Sequence, residues 1–97
     1  MSIVALIKLT AKPGNRQQLL NKMTDAIATT RAQPLCTGVE PMVGIEDSNE
    51  LLLIEQWPTV EAHENFINGV IEQGGLETII DLLVKDIETT HFDSIVN

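Results

Sequence analysis

The sequence predicts a ferredoxin-like α+β domain, in which helices cover one face of an antiparallel sheet. Three observations predict it. Apolar runs and segments of helical spacing alternate in the order strand, helix, strand, strand, helix, strand, with the last helix split in two. Two of the strands are apolar on both faces. The chain has 97 residues, 43% of them hydrophobic, which suffices for one domain with a modest core over residues 1–97.

The first half of the chain predicts a strand, a helix and an irregular strand. Residues 2–10 are mostly apolar and form the first strand. After a turn that contains Pro and Gly, a helix is predicted over residues 16–32, with Asn15 as its N-cap. The second strand runs from residue 36 or 37 to about residue 45. It contains Pro41, which places it at a sheet edge or at a bulge.

The second half predicts a hairpin, two helices and a last strand. A polar turn leads into the third strand, residues 50–57. A helix follows over residues 59–68, and Gly69 is expected to end it. Residues 76–84 carry apolar side chains at the spacing of an amphipathic helix. The last strand is predicted over about residues 87–96.

The two apolar strands, residues 3–7 and 51–54, have a consequence for assembly. A sheet with helices on one face should alternate between apolar and polar residues. These strands are apolar on both faces, and the chain has too few helices to cover the second face. We therefore predict an isologous homodimer in which two copies pack sheet against sheet.

Charge and cysteine content exclude several classes of function. The net charge of −8, with only six Lys and Arg, argues against nucleic acid and against an anionic membrane surface. Cys36 is the only cysteine, which fits a reducing cytoplasm, and the apolar N-terminal run is too short to span a bilayer. His63 and His91 are far apart in the sequence and lack ligand spacing with each other or with Cys36, so no metal site is expected.

Three segments occur together in the order and spacing of a known family. Residues 6–14 form a strand that runs into Lys-Pro-Gly, residues 30–36 are Thr-Arg-Ala-Gln-Pro-Leu-Cys, and residues 53–57 are Leu-Ile-Glu-Gln-Trp, followed by Glu-Ala at 61–62. Together they resemble the antibiotic biosynthesis monooxygenase (ABM) domain family, over about residues 3–96. The resemblance implies a dimeric α+β barrel, in agreement with the two-faced strands.

The resemblance also implies a chemistry. Members of the ABM family include cofactor-independent monooxygenases that act on quinols and anthrones. The resemblance therefore implies a monooxygenase that acts on a small hydrophobic hydroxylated aromatic compound, without a cofactor or metal. Trp57, Phe66 and Ile7 would line the substrate pocket, and Phe66 stands where many members have a histidine. With no histidine between residues 64 and 90, haem is not expected. The alternative is a non-catalytic, dimeric small-molecule-binding or stress-related protein, and a third possibility is an isomerase-like or signal-turnover role without oxygen.

Three residues near the strand-to-helix junction are candidates for catalysis. Trp57 either stacks on a flat substrate or fills the core. Glu55 lies on the same strand face, where a carboxylate beside an apolar pocket could deprotonate a phenol or quinol. The alternative for Glu55 is a structural pair with Lys8. His63, at the start of the next helix, is the best-placed base, unless it is a surface or structurally satisfied histidine.

Overall fold

A four-stranded antiparallel sheet organises the fold. The computed structural model describes residues 2–95. The strands lie in the order β2-β3-β1-β4. This arrangement confirms the predicted α+β ferredoxin-like fold. The elements are β1 (Ile3–Thr10), α1 (Arg16–Arg31), β2 (Gly38–Val43), β3 (Glu50–Trp57), α2 (Val60–Glu72), α3 (Glu77–Ile80) and β4 (Glu88–Phe92).

The second helix is longer than predicted. It passes through Gly69 and ends at Glu72, because one glycine inside a helix costs only about 1 kcal/mol. The actual stop is Gly74, whose φ of +72° suits a residue without a Cβ. Gly74 and Gly75 donate their N–H groups to the carbonyls of Ile71 and Val70, which is the Schellman arrangement of a helix end.

The amphipathic segment at residues 76–84 is helical only over Glu77–Ile80, so the prediction of a longer helix was wrong. Its last residues instead pair with the end of β1. The N–H of Val84 donates to the carbonyl of Thr10, and Leu82 accepts from Lys12. Sheet-like pairing thus replaces the last helical turn, although the apolar spacing is that of a helix.

The cap of α1 and the end of the last strand differ from the predictions made from the sequence. The Asn15 side chain donates to Gln18 and makes no cap hydrogen bond to α1, whereas Thr59 caps α2 by accepting from the N–H of Ala62. The last strand ends at Phe92 and not near residue 96, which lies outside the described residues. β2 is an edge strand, as its proline predicted.

The two faces of the sheet are buried to different extents. The face toward the helices is formed by odd-numbered residues of β1 and β3 and is buried. On the opposite face the apolar side chains are only half-buried or exposed. These are Val4, Leu6, Met42, Leu52, Ile54 and Phe92, which we call the open face.

Candidate active site

A cleft of about 800 Å³ lies between the helix-facing side of the sheet and the helices. The strands β1 and β3 contribute Ile7 and Leu53, α2 contributes Phe66, and the α3 segment contributes Ile79. Most of the wall is apolar, so the cleft favours a hydrophobic ligand. No helix within residues 2–95 is long and apolar enough to cross a bilayer.

The polar end of the cleft is built across three neighbouring strands. Ala5 in the middle strand pairs with Glu55 on one side and with His91 on the other. Paired residues of adjacent strands point to the same face, so both side chains face the helices. Between them Ala5 has only a methyl group, and His63 from the first turn of α2 reaches both neighbours.

The distances define a linear chain of side chains. His63 Nδ1 lies 2.9 Å from His91 Nε2, a hydrogen bond whose direction depends on the tautomer. On the other side of the ring, His63 Nε2 lies 3.7 Å from Glu55 Oε1. That nitrogen is buried without a hydrogen-bond partner. The Trp57 indole N–H donates to Glu55 Oε1 at 3.0 Å.

Burial shifts the protonation of both inner groups. It raises the pKa of the Glu55 carboxyl, and the hydrogen bond from Trp57 opposes this rise. Burial also lowers the pKa of His63, and repulsion from the His91 ring when that ring is protonated lowers it further, while Glu64 opposes the shift. A neutral imidazole therefore lies beside a carboxyl group that takes up a proton more readily than an exposed one.

Trp57 lies behind this chain and is not part of the cleft wall. Its side chain is 1% exposed, and its ring is 5.3 Å from that of Phe66 and 5.5 Å from that of His63. Glu55, His63, Phe66 and Ile7, the other residues predicted for the site, all line the cleft. Trp57 supports the site by filling the core and by holding the Glu55 carboxyl.

The predicted pair of Glu55 with Lys8 was wrong, and the structure adds a contact between His63 and His91 that the sequence did not predict. Lys8 pairs with Glu50 at 3.0 Å and not with Glu55, because strand alternation places Lys8 and Glu55 on opposite faces. His91 and His63 are in contact despite their separation in sequence. The pairing of the first and last strands in a ferredoxin-like sheet was the signal that could have brought His91 to the site.

The three polar groups do not converge on a common point. Glu55 and His91 approach opposite nitrogens of the His63 ring, whereas a metal ion requires its ligands to point inward together. In the part of the chain that the structure describes, no group of three His, Cys, Asp or Glu could hold a metal ion. Burial raises the pKa of the Cys36 thiol, so its reactive thiolate is disfavoured.

Sequence comparison shows the family. The sequence model described as antibiotic biosynthesis monooxygenase matches residues 2–69. The chain belongs to the antibiotic biosynthesis monooxygenase (ABM) family. A search of curated proteins found no match.

Several solved structures share the fold of this ABM protein. A conserved protein from Methanosarcina mazei Go1 is 18% identical, with a TM-score of 0.86 and coverage of 97% of this chain and 93% of that one. Rv0793 from Mycobacterium tuberculosis is 16% identical, with a TM-score of 0.85 and coverage of 100% and 98%. A mutant of SnoaB, a cofactor-independent oxygenase from Streptomyces nogalater, is 12% identical, with a TM-score of 0.82 and coverage of 99% and 95%.

Proposed function

We propose that this ABM protein is a cofactor-independent monooxygenase of a small hydrophobic hydroxylated aromatic, such as a quinol or an anthrone-like compound. One observation carries the proposal. An apolar cleft has, at one end, a buried carboxyl and two histidines linked across the sheet. The family and the likeness to the oxygenase SnoaB support the reaction type.

The proposed reaction begins with ionisation of the substrate. The titratable end of the cleft takes the proton from the substrate's hydroxyl group, while Phe66 and the aliphatic walls hold the ring away from water. Dioxygen then adds to the electron-rich ring carbon. One oxygen atom stays on that carbon, and the other leaves as water. The substrate supplies both hydrogens of this water and the two electrons that reduce the second oxygen atom.

We also propose that the protein acts as a homodimer through the open face. The exposed and half-buried apolar side chains of Met42, Leu52, Ile54 and Phe92 support this, because such a surface is unfavourable in water. Light scattering at micromolar concentration should give the mass of two chains. A monomeric mass would contradict the dimer.

The function is tested by oxygen uptake with a panel of quinols and anthrones. The wild type should consume oxygen, and His63→Ala should lose most of the activity because it breaks the polar chain. Trp57→Phe should lose less, since the cleft wall is kept. Lys85→Ala, at an exposed position that does not line the cleft, is the matched control. Binding of the panel without oxygen uptake would contradict the enzyme and favour the non-catalytic binding protein.

A further inference from the structure

His63 is poorly placed to touch a substrate itself. Its side chain is 2% exposed, and its two ring nitrogens face His91 and Glu55. His91 is only half-buried and lies on the cleft wall. Since its Nε2 is used by His63, its Nδ1 is the ring nitrogen left for a ligand.

We propose that His91 is the base that takes the substrate's proton, and that His63 is a positioning residue that passes a proton on to Glu55. This inference rests on the proposed function, since it names the group that ionises the substrate. It gives a catalytic role to a residue in the last strand, outside the residues 2–69 that define the family match.

Each proton transfer through His91, His63 and Glu55 has a donor and an acceptor. Before reaction, His63 and His91 each carry their proton on Nε2, and Glu55 is ionised. The substrate's hydroxyl proton goes to His91 Nδ1, the His91 Nε2 proton goes to His63 Nδ1, and the His63 Nε2 proton goes to Glu55. The substrate is then an anion, both histidines are neutral, and Glu55 is a neutral acid. The reverse sequence returns the proton to a later oxyanion.

The energetic advantage is that the site keeps a single negative charge throughout. A lone histidine that took the proton would create a buried cation beside the new anion, which is costly away from water. Here the charge moves from Glu55 to the substrate. The burial that raises the pKa of Glu55 makes it a good final acceptor, and the Trp57 N–H stabilises its ionised form before reaction.

Two contacts must act together for this transfer. The histidine pair is already within hydrogen-bond distance, at 2.9 Å. The separation of 3.7 Å between His63 Nε2 and Glu55 Oε1 must shorten by somewhat less than 1 Å to reach a normal hydrogen bond. Other charged or titratable groups that act on this chain are Glu64, from α2, on His63, and Cys36, just before β2, which interacts with Glu55.

The first test is the tautomeric state of the histidines by ¹⁵N NMR on the full chain. The sequence has two histidines, so two imidazoles are observed and His91→Gln assigns them. At neutral pH both rings should carry their proton on Nε2. A His63 ring protonated on Nδ1 would overturn the inference, because His91 would then accept the hydrogen bond and no proton could move toward Glu55. This result does not depend on turnover.

The second test uses turnover of the best quinol or anthrone substrate. His91→Ala should lower kcat by about 10²- to 10⁴-fold with little change in KM, as expected for loss of a general base. Imidazole in solution should restore part of the rate, because the position opens on the cleft, whereas it should not rescue His63→Ala. Glu55→Gln should lower kcat in the same range, and the exposed Lys85→Ala should not.

An unchanged kcat in both His91→Ala and His91→Asn would overturn the inference while leaving the monooxygenase intact. The asparagine variant retains a polar side chain in case alanine weakens the strand, and thermal melting shows whether each variant folds. If the wild type oxidises no substrate of the panel, the proposed function fails, and the NMR tautomers still decide whether the hydrogen-bonded chain runs in the stated direction.

Discussion

Replacement of Trp57 by phenylalanine should destabilise the protein by an amount that depends on pH. The substitution removes the N–H that donates to Glu55 Oε1 at 3.0 Å. Such a hydrogen bond contributes about 1.5–3 kcal/mol to protein stability when the acceptor is charged, but about 1 kcal/mol when the acceptor is neutral. The lost ring volume adds on the order of 1–2 kcal/mol at any pH. The free energy of unfolding should therefore fall by roughly 2.5–5 kcal/mol where Glu55 is ionised, and by roughly 2–3 kcal/mol where it is protonated.

The direction of the Glu55 pKa shift determines how the stability of the protein changes with pH. Burial raises the pKa of Glu55 above its usual 4.5, so the folded protein holds the proton more tightly than the unfolded chain. This stabilisation is complete below pH 4.5 and is lost as the pH rises through the folded pKa. The Trp57 hydrogen bond limits that loss. Without it the folded pKa rises further, and more stability is lost between acid and neutral pH.

The assay is urea unfolding of the wild type and Trp57→Phe at pH 4.5 and pH 8, at one fixed protein concentration. The contribution of His63 is common to both proteins and cancels in the difference. The same pair in a Glu55→Gln background is the control, where the cost of the substitution should no longer depend on pH. An equal cost at both pH values in the Glu55 background would refute the reasoning.

Three further results are expected. Because burial lowers the pKa of His63, the unfolded chain binds a proton first, so the contribution of His63 to stability is lost as the pH drops below 6.5. In thermal melts between pH 8 and pH 5, His63→Gln should remove this loss and leave the opposite change that comes from Glu55. Gly75→Ala should destabilise by about 1–3 kcal/mol, since its Cβ would lie 2.8 Å from Val70 Cγ1, whereas Gly69→Ala, with nothing within 4 Å, should stabilise by about 0.5–1 kcal/mol in urea unfolding. Ile54→Lys, on the open face, should give a monomeric mass by light scattering and leave the secondary structure seen by circular dichroism unchanged, and a dimeric mass would contradict the placement of the interface.

Local patterns in the sequence were enough to predict the strands and their arrangement. The order of the elements predicts the ferredoxin-like sheet, the apolar runs at residues 3–7 and 51–54 predict two of its strands, and the proline at position 41 predicts an edge strand or a bulge. These signals are strong because each depends on neighbouring residues alone. The helix predicted over residues 76–84 failed for the opposite reason, since Val84 pairs with a strand end more than seventy positions earlier, and apolar spacing carries no information about such a partner.

At the site, too, local sequence patterns identified some residues, whereas contacts between distant parts of the sequence required the structure. Glu55 and His63 could be selected from sequence because they flank the strand-to-helix junction. His91 was not selected, because its place depends on the pairing of β1 with both β3 and β4, in which Ala5 has Glu55 on one side and His91 on the other. The position of Trp57 behind the wall also required the structure, since alternation along a strand gives the face of a residue but not its depth below a cavity.

The strand pairing around Ala5 fixes the distance between Glu55 and His91. Glu55 and His91 are separated by two strand spacings, about 9.6 Å between their backbones, and this length is fixed by main-chain hydrogen bonds. The cleft walls are fixed by side chains on other rows and on the helices. Substitutions in those walls can therefore change which molecule fits without changing the distance between the carboxyl and the outer imidazole. In such a scaffold, ligand preference can diverge while the Glu55 carboxyl and the His91 imidazole stay in place.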